Sequence, residues 1–252
     1  MQLNLLTYLI VCPLIFLAGF IDSIAGGGGL ISLPMYLAVG LSPATAAGTN
    51  KFTASLGTTF SAISFLKSGN THLKIAFISA LFAFIGSSIG ARFAIMLGDS
   101  LKYVILGVIP FVAASSLLKL DETKPISKGI KLILFASFIG FTVGLYDGLV
   151  GPGTGTLLII LYTFLCGYKL KEAFGNAKIV NLSSNISALI VFILNDQVLY
   201  KLALPAALFS IAGNYLGSKL AINNGRKVIQ PILYLVLSGI VIKIIIDIFS
   251  NY

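Results

Sequence analysis

Two short stretches of the sequence combine a carboxylate with a run of glycines inside otherwise apolar surroundings. In "FIDSIAGGGGLISLP" Asp22 precedes Gly26–Gly29, and in "GLYDGLVGPGTGT" Asp147 precedes Gly151–Gly155. Glycine lets the backbone unwind and approach a ligand closely, and a helix that restarts after such a break presents unpaired N–H groups, which suit an oxyanion. We therefore predict an anion-binding site at the two breaks. The alternative is that these glycines only allow helices to pack closely.

A second pair of motifs places amides and lysines within apolar segments. "AAGTNKFTAS" carries Lys51, and its counterpart "AFGNAKIVNLSSN" carries Lys178. Polar residues inside a membrane are costly and usually face the protein interior or a water-filled cavity, so each lysine could supply charge for an anion; alternatively it reaches out to the lipid headgroups. The predicted substrate-binding residues are Gly26, Gly27, Gly28, Gly29, Thr49, Asn50, Lys51, Gly151, Gly153, Thr154, Gly155, Asn176, Lys178, Asn181 and Asn185.

Asp22 and Asp147 are candidates for proton coupling. Apart from Glu172, which stands at the start of an apolar span, they are the only carboxylates within these spans before Asp247. Burial favours the neutral form of a carboxyl group, which suits a group that accepts and releases a proton. The alternative is a local role, in which each carboxylate accepts hydrogen bonds from the unwound backbone that follows it.

The composition places the chain in a lipid bilayer. Of its 252 residues 57% are hydrophobic and 10% charged, mean hydropathy is +1.01, and apolar runs of membrane-spanning length recur from end to end. The net charge of +9 sits at segment ends, where it suits lipid headgroups, so we expect no nucleic-acid partner. The sequence offers no Cys/His metal spacing, nucleophile-base-acid set or nucleotide loop. We therefore expect neither an enzyme nor a cofactor or metal.

The two halves of the sequence repeat each other. Asp22 aligns with Asp147 and Lys51 with Lys178, and many glycines align as well. This divides the chain into repeats 1–118 and 130–252, joined by the polar linker 119–129. Five apolar segments per half are predicted at about 5–24, 29–40, 43–66, 75–97 and 101–118, and at about 130–148, 154–166, 170–194, 202–220 and 228–247.

The distribution of positive charge predicts that the repeats are inverted. The second segment of each half is too short to cross the hydrocarbon core alone. If both short segments nevertheless change side, most lysines and arginines fall on one face, as the positive-inside rule requires; if they re-enter, the charges split almost evenly. We predict an all-α polytopic membrane protein with about 8–10 transmembrane segments, as a 5+5 inverted repeat with a cytoplasmic linker and both termini periplasmic. Inverted repeats with broken helices are typical of secondary transporters.

The glycine-rich and lysine-containing motifs resemble those of the TauE/SafE family, the sulfite exporter or toluene-sulfonate uptake permease group. "GFIDSIAGGGGLISLPMYLAVGLSPATAAGTNKF" resembles its first signature and "GLYDGLVGPGTGTLLIILYTFLCGYKLKEAFGNAKIVN" its second. The resemblance implies a permease of the bacterial inner membrane, with proton coupling and with sulfite, sulfonates or sulfoacetate as substrates. It assigns the sites to the two glycine-rich segments and to Gly48–Lys51 and Gly175–Lys178. The second copy reads "GNAK" where the first reads "GTNK", so the twofold site is not exact.

Together these patterns predict a secondary transporter of small sulfur-containing anions that works by alternating access between the repeats. Its expected partners are the anion, protons, the lipid bilayer and a second copy of the chain in a homodimer. Two alternatives remain: a passive anion channel with the same site, and a membrane subunit that transports nothing.

Overall fold

The computed structural model describes residues 3–115 and 128–224, and all regular structure in these ranges is helical. Nine α-helices and one 3-10 turn, Gly98–Ser100, occur in these residues. The α-helices are α1 Leu5–Ala25, α2 Gly29–Ala38, α3 Pro43–Lys67, α4 Leu73–Leu97, α5 Leu101–Ser115, α6 Ile130–Leu149, α7 Thr154–Cys166, α8 Leu170–Leu194 and α9 Tyr200–Asn224.

The observed helices agree with the predicted segments to within a few residues. Four spans are long and apolar enough to cross a membrane, namely Leu5–Ala25, Leu73–Val108, Ile130–Leu149 and Leu170–Leu194. The chain is therefore a polytopic membrane protein. The short helices α2 and α7 have 10 and 13 residues, or about 15 and 20 Å. The predicted segment 228–247 and most of the linker 119–129 lie outside the described residues.

The helix ends are set by residues that the sequence places at the breaks. Ser42 caps α3 by accepting a hydrogen bond from the N–H of Thr45, and Pro43 follows it at the first helical position, where proline is favoured. Gly26 ends α1 in a left-handed conformation with φ of 76°, which residues with a Cβ atom rarely adopt. The glycine break is thus a true interruption between α1 and α2.

Small residues bring two helix pairs into close contact, α4 with α6 and α1 with α9. A Cβ atom added at Gly90 would lie 2.1 Å from the carbonyl oxygen of Leu145, and one at Gly213 would lie 2.1 Å from that of Phe16. Side chains cannot fit there, so these glycines allow backbone-to-backbone packing, as they do between membrane helices generally. Gly86 and Gly217 meet the backbone of a neighbouring helix in the same way.

Helices α3 and α8 lie side by side in opposite directions. At the start of α3, Thr45 donates a hydrogen bond to Gln197, which follows the end of α8. At the start of α8, Asn176 accepts one from the N–H of His72, which follows the end of α3. The two helices that carry Lys51 and Lys178 therefore cross the centre of the protein antiparallel to each other.

Candidate functional site

The two glycine breaks meet in the interior of the protein. A Cβ atom added at Gly26 would lie 2.4 Å from the backbone of Gly155, and one at Gly29 would lie 2.9 Å from Pro152. The hydroxyl of Thr156 also donates a 2.8 Å hydrogen bond to the carbonyl of Ala25. The breaks predicted from the sequence therefore form one backbone contact, through which α2 and α7 begin close together.

Several backbone N–H groups at these helix starts have no acceptor. Within the described part of the chain, the N–H groups of Gly29, Gly155 and Thr156 donate no hydrogen bond. Unpaired N–H groups are expected in the first turn of a helix, but they are costly in a membrane unless a cavity or ligand satisfies them. Both starts therefore offer donors and a partial positive charge to a common space.

Lys51 forms a buried ion pair with the carboxylate of the other repeat. Its Nζ lies 2.7 Å from Asp147 Oδ1, and the two side chains are only 5% and 2% exposed. Nζ also donates to Asn185 Oδ1 at 2.9 Å. In this structure Lys51 therefore points inward and pairs with Asp147 instead of extending towards headgroups.

Lys178 and Asp22 form the corresponding pair. Lys178 Nζ lies 2.9 Å from Asp22 Oδ2 and also donates to the backbone carbonyl of Asp22. Lys178 is fully buried, whereas the side chain of Asp22 is 17% exposed. Each lysine thus pairs with the aspartate of the opposite half, and the two pairs tie the halves together twice.

The two aspartates differ in how firmly they are held. Asp147 accepts further hydrogen bonds at 2.6 Å from the hydroxyls of Thr154 and Ser184. In the first half glycines, Gly29 and Gly57, take the aligned positions, so Asp22 has neither hydroxyl donor. Asp147 is consequently enclosed by donors, while Asp22 keeps an oxygen that no described residue bonds.

A cavity lies beside the ion pairs and the glycine contact. It encloses about 490 Å³ of unoccupied space, including its open mouth. Most of the predicted residues line it, including both aspartates; these are Asp22, Gly26, Gly28, Gly29, Asn50, Lys51, Asp147, Gly151, Thr154, Gly155, Asn181 and Asn185. One lysine, one accessible carboxylate and two helix starts therefore face a common space.

Five predicted site residues do not line the cavity: Gly27, Thr49, Gly153, Asn176 and Lys178. Thr49 accepts a hydrogen bond from the N–H of Leu199, and Asn176 accepts one from the N–H of His72. Thr49 and Asn176 are aligned residues, and both bond to the loop ahead of a long helix, α9 or α4. In this structure their side chains hold loops in place.

The sequence reasoning missed several polar lining residues, among them Thr58, Ser210 and Asn214. They lie on α3 and α9, and their aligned partners are Asn185, Ala83 and Ser87. The search for residues repeated in both halves passed over them because two of the three have a different polar residue as counterpart and one has alanine. The available signal was the pair Ser210 and Asn214, two polar residues one turn apart in an apolar helix.

Within residues 3–115 and 128–224 no group of three or more His, Cys, Asp or Glu residues is arranged to hold a metal ion. Cys12 and Cys166 are both buried and free. The lysine-aspartate pairs and the hydroxyls around them can bind and orient an ion.

Comparisons with known proteins point to one family. The family described as "Sulfite exporter TauE/SafE" matches residues 11–244. A "Probable membrane transporter protein ORF9" of Sinorhizobium sp is 34% identical over 97% of this chain and 94% of its own length. For the Escherichia coli K12 protein YfcA, also named a probable membrane transporter, the identity is 34% over 92% of this chain and 87% of its own.

A third relative, from Haemophilus influenzae, is 32% identical over 92% of both chains and carries the same transporter description. No solved structure matches the chain significantly. The family match spans both glycine breaks and both lysine-aspartate pairs, so the site lies wholly within the matched residues. The chain therefore belongs to the TauE/SafE family of membrane transporters.

Proposed function

We propose that this protein is a proton-coupled secondary transporter of small sulfur-containing anions such as sulfite, sulfonates and sulfoacetate. The observation that carries the proposal is Lys51, which faces a cavity at the meeting point of two helix starts. Lysine and helix N-termini both stabilise oxyanions. The family description names sulfite, which is an oxyanion.

The charges around the cavity favour coupling to a proton. The site holds two lysines and two aspartates, so it is neutral before an anion arrives. A monoanion that entered without a cation would leave a net negative charge in a low-dielectric interior, which is costly. A proton taken up with the anion keeps the site neutral and avoids this cost.

Asp22 is the aspartate that we propose accepts this proton. It lines the cavity and is 17% exposed, while Asp147 is 2% exposed and held by Lys51, Thr154 and Ser184. A proton on Asp22 would also weaken its attraction to Lys178. Because this pair joins the two repeats, its weakening would favour the relative movement that alternating access requires.

The remaining parts of the proposal concern the setting. We place the protein in the bacterial inner membrane. The distribution of lysines and arginines along the sequence favours a cytoplasmic linker and periplasmic termini. We also propose a homodimer as its assembled form, which size measurement in detergent can test directly.

Uptake of labelled sulfite into proteoliposomes tests the function. With an inward proton gradient we expect the lumen to accumulate sulfite above the external concentration, and dissipating the gradient should abolish the accumulation. A passive channel would only equilibrate sulfite across the membrane, and a subunit that transports nothing would give no uptake above protein-free liposomes. Either result would contradict the proposal.

A further inference from the structure

We propose that the end of the cavity between α1, α3 and α9 is a subsite for an uncharged hydrogen-bonding group, such as a hydroxyl, on the substrate anion. The inference rests on the proposed function, since it concerns the part of the ligand that lies away from Lys51. It assigns a role to Asn214, Thr58 and Ser210, which no resemblance or repeat singles out.

Asn214 carries an unsatisfied buried acceptor at this end. The residue lines the cavity and is 2% exposed. Its Nδ2 donates a 3.0 Å hydrogen bond to the carbonyl of Ser210, but its Oδ1 has no partner in the described part of the chain. A buried polar atom without a partner is costly, so a donor from a ligand or water is expected there.

The backbone around Asn214 is shaped to hold this amide. A Cβ atom added at Gly57 would lie 2.4 Å from Asn214 Nδ2, and one at Gly19 would lie 2.8 Å from it. The amide therefore sits between two glycines, on α3 and α1, and cannot turn freely. An amide fixed in this way presents its oxygen in one direction, as a specific binding group must.

Two hydroxyls that donate no hydrogen bond lie beside it. Thr58 and Ser210 line the cavity and are 1% and 4% exposed. Neither hydroxyl donates to a described residue, although Ser210 Oγ accepts a 3.5 Å hydrogen bond from Asn214 Nδ2. The aligned region of the other half is filled differently: Ser87, the counterpart of Asn214, donates to the carbonyl of Ser184, and Asn185, the counterpart of Thr58, accepts from Lys51. These aligned positions therefore leave less hydrogen-bonding capacity free than Asn214, Thr58 and Ser210 do.

The groups present select the chemistry of the ligand. The amide oxygen can accept a hydrogen bond from a hydroxyl group of the ligand, and the two hydroxyls can accept from it or donate to it. None of these three groups carries a charge. Thr58 lies seven residues after Lys51, which puts the two on the same face of α3 about 10 Å apart along the helix. The substrate class is therefore a short organic anion with its acidic group near Lys51 and a hydroxyl towards Asn214.

Binding of ω-hydroxyalkanesulfonates tests the subsite. Calorimetry on the full chain in detergent would measure the affinity for ω-hydroxyalkanesulfonates with two, three or four carbons. Each of these affinities would be compared with that for the unsubstituted alkanesulfonate of the same chain length. At one chain length we expect the hydroxylated compound to bind wild type about three- to tenfold more tightly, the scale of a neutral hydrogen bond. Asn214→Ala should abolish that preference. Ser87→Ala is the matched control and should keep the preference.

The outcomes separate the two proposals. Equal affinity for both members of every pair in wild type, or a preference that survives in Asn214→Ala, overturns the subsite while sulfite binding still supports the transporter. Failure of wild type to bind sulfite or any sulfonate overturns the proposed function and the subsite with it. A cooperative thermal unfolding transition of Asn214→Ala in detergent verifies that the variant is folded.

Discussion

At the scale of single residues, the two lysines have different environments despite their equivalent positions in the repeat. Lys51 lines the cavity, whereas Lys178 is fully buried behind Asp22. Replacing either lysine alone would leave a buried carboxylate unpaired, which costs about 3–5 kcal/mol. The test of Lys51 therefore removes Asp147 together with it.

We expect Lys51→Gln/Asp147→Asn to weaken sulfite binding by about 1.5–3 kcal/mol, the scale of a hydrogen bond to a charged group, or roughly ten- to hundredfold. The matched control, Asp22→Asn, leaves Lys51 and Asp147 in place and resembles the protonated Asp22 of the proposed anion-bound state, so its affinity should stay near that of wild type. Calorimetry on the purified variants measures both. Equal losses in the two variants would contradict the asymmetry.

The control variant makes a second prediction about coupling. Because Asp22→Asn lacks the accessible carboxylate, it should bind sulfite and equilibrate it across a membrane without accumulating it. Sulfite flux into proteoliposomes, with and without an inward proton gradient, measures this. If the variant still concentrates sulfite when the gradient is applied, the coupling proton binds elsewhere.

The sequence predicted which charged residues lie inside the apolar helices, but it did not predict what they contact. Lys51, Lys178, Asp22 and Asp147 were identified because each is repeated and stands in an apolar segment. Their pairing across the two halves was not predicted, because aligning two repeats shows which positions are equivalent and carries no information on which are in contact. Thr49 was grouped with Lys51 for its neighbourhood in the chain, but on a helix neighbouring residues face different directions, and Thr49 bonds to a loop.

At the scale of elements, the glycine contact between the breaks positions both helix starts. The spacing of glycines indicated the break, and the close approach of Gly26 to Gly155 explains why these positions cannot carry side chains. The lengths of α2 and α7 were predicted to within a few residues, since each is bounded by glycines or by the loop before the next polar segment. Their mutual contact could not be predicted, because it depends on how the long helices pack.

Gly155→Ala tests the importance of this contact. The added Cβ atom would lie 2.5 Å from Gly26 Cα, so the breaks must separate, and we expect a loss of about 1–3 kcal/mol in stability from overpacking together with weaker sulfite binding. Gly27→Ala is the control, because a Cβ atom there meets nothing nearer than 3.6 Å. Thermal unfolding in detergent compares the two. An unchanged midpoint for Gly155→Ala would contradict a tight contact.

At the scale of the whole molecule, the loop contacts support the inverted arrangement. The loop after α3 contacts the start of α8, where His72 lies 3.5 Å from Glu172, and the loop after α8 contacts the start of α3 through Gln197 and Thr45. If the short helices returned to the side they came from, the loop after α3 and the start of α8 would lie on opposite sides of the membrane. Their contact instead favours short helices that change side.

Accessibility of single cysteines tests this topology on a background without Cys12 and Cys166. The positions Lys74, Lys171 and Lys201 are all exposed at helix ends, so Lys74→Cys, Lys171→Cys and Lys201→Cys should not disturb the core. The inverted arrangement places Lys74 and Lys171 in the cytoplasm and Lys201 in the periplasm. A membrane-impermeant thiol reagent applied to intact cells should therefore label only the last, and all three should react once the cells are opened. Parallel repeats with re-entrant short helices place Lys74 and Lys201 on one side, so labelling of both, with Lys171 protected, would refute the inverted repeat and the alternating-access geometry built on it.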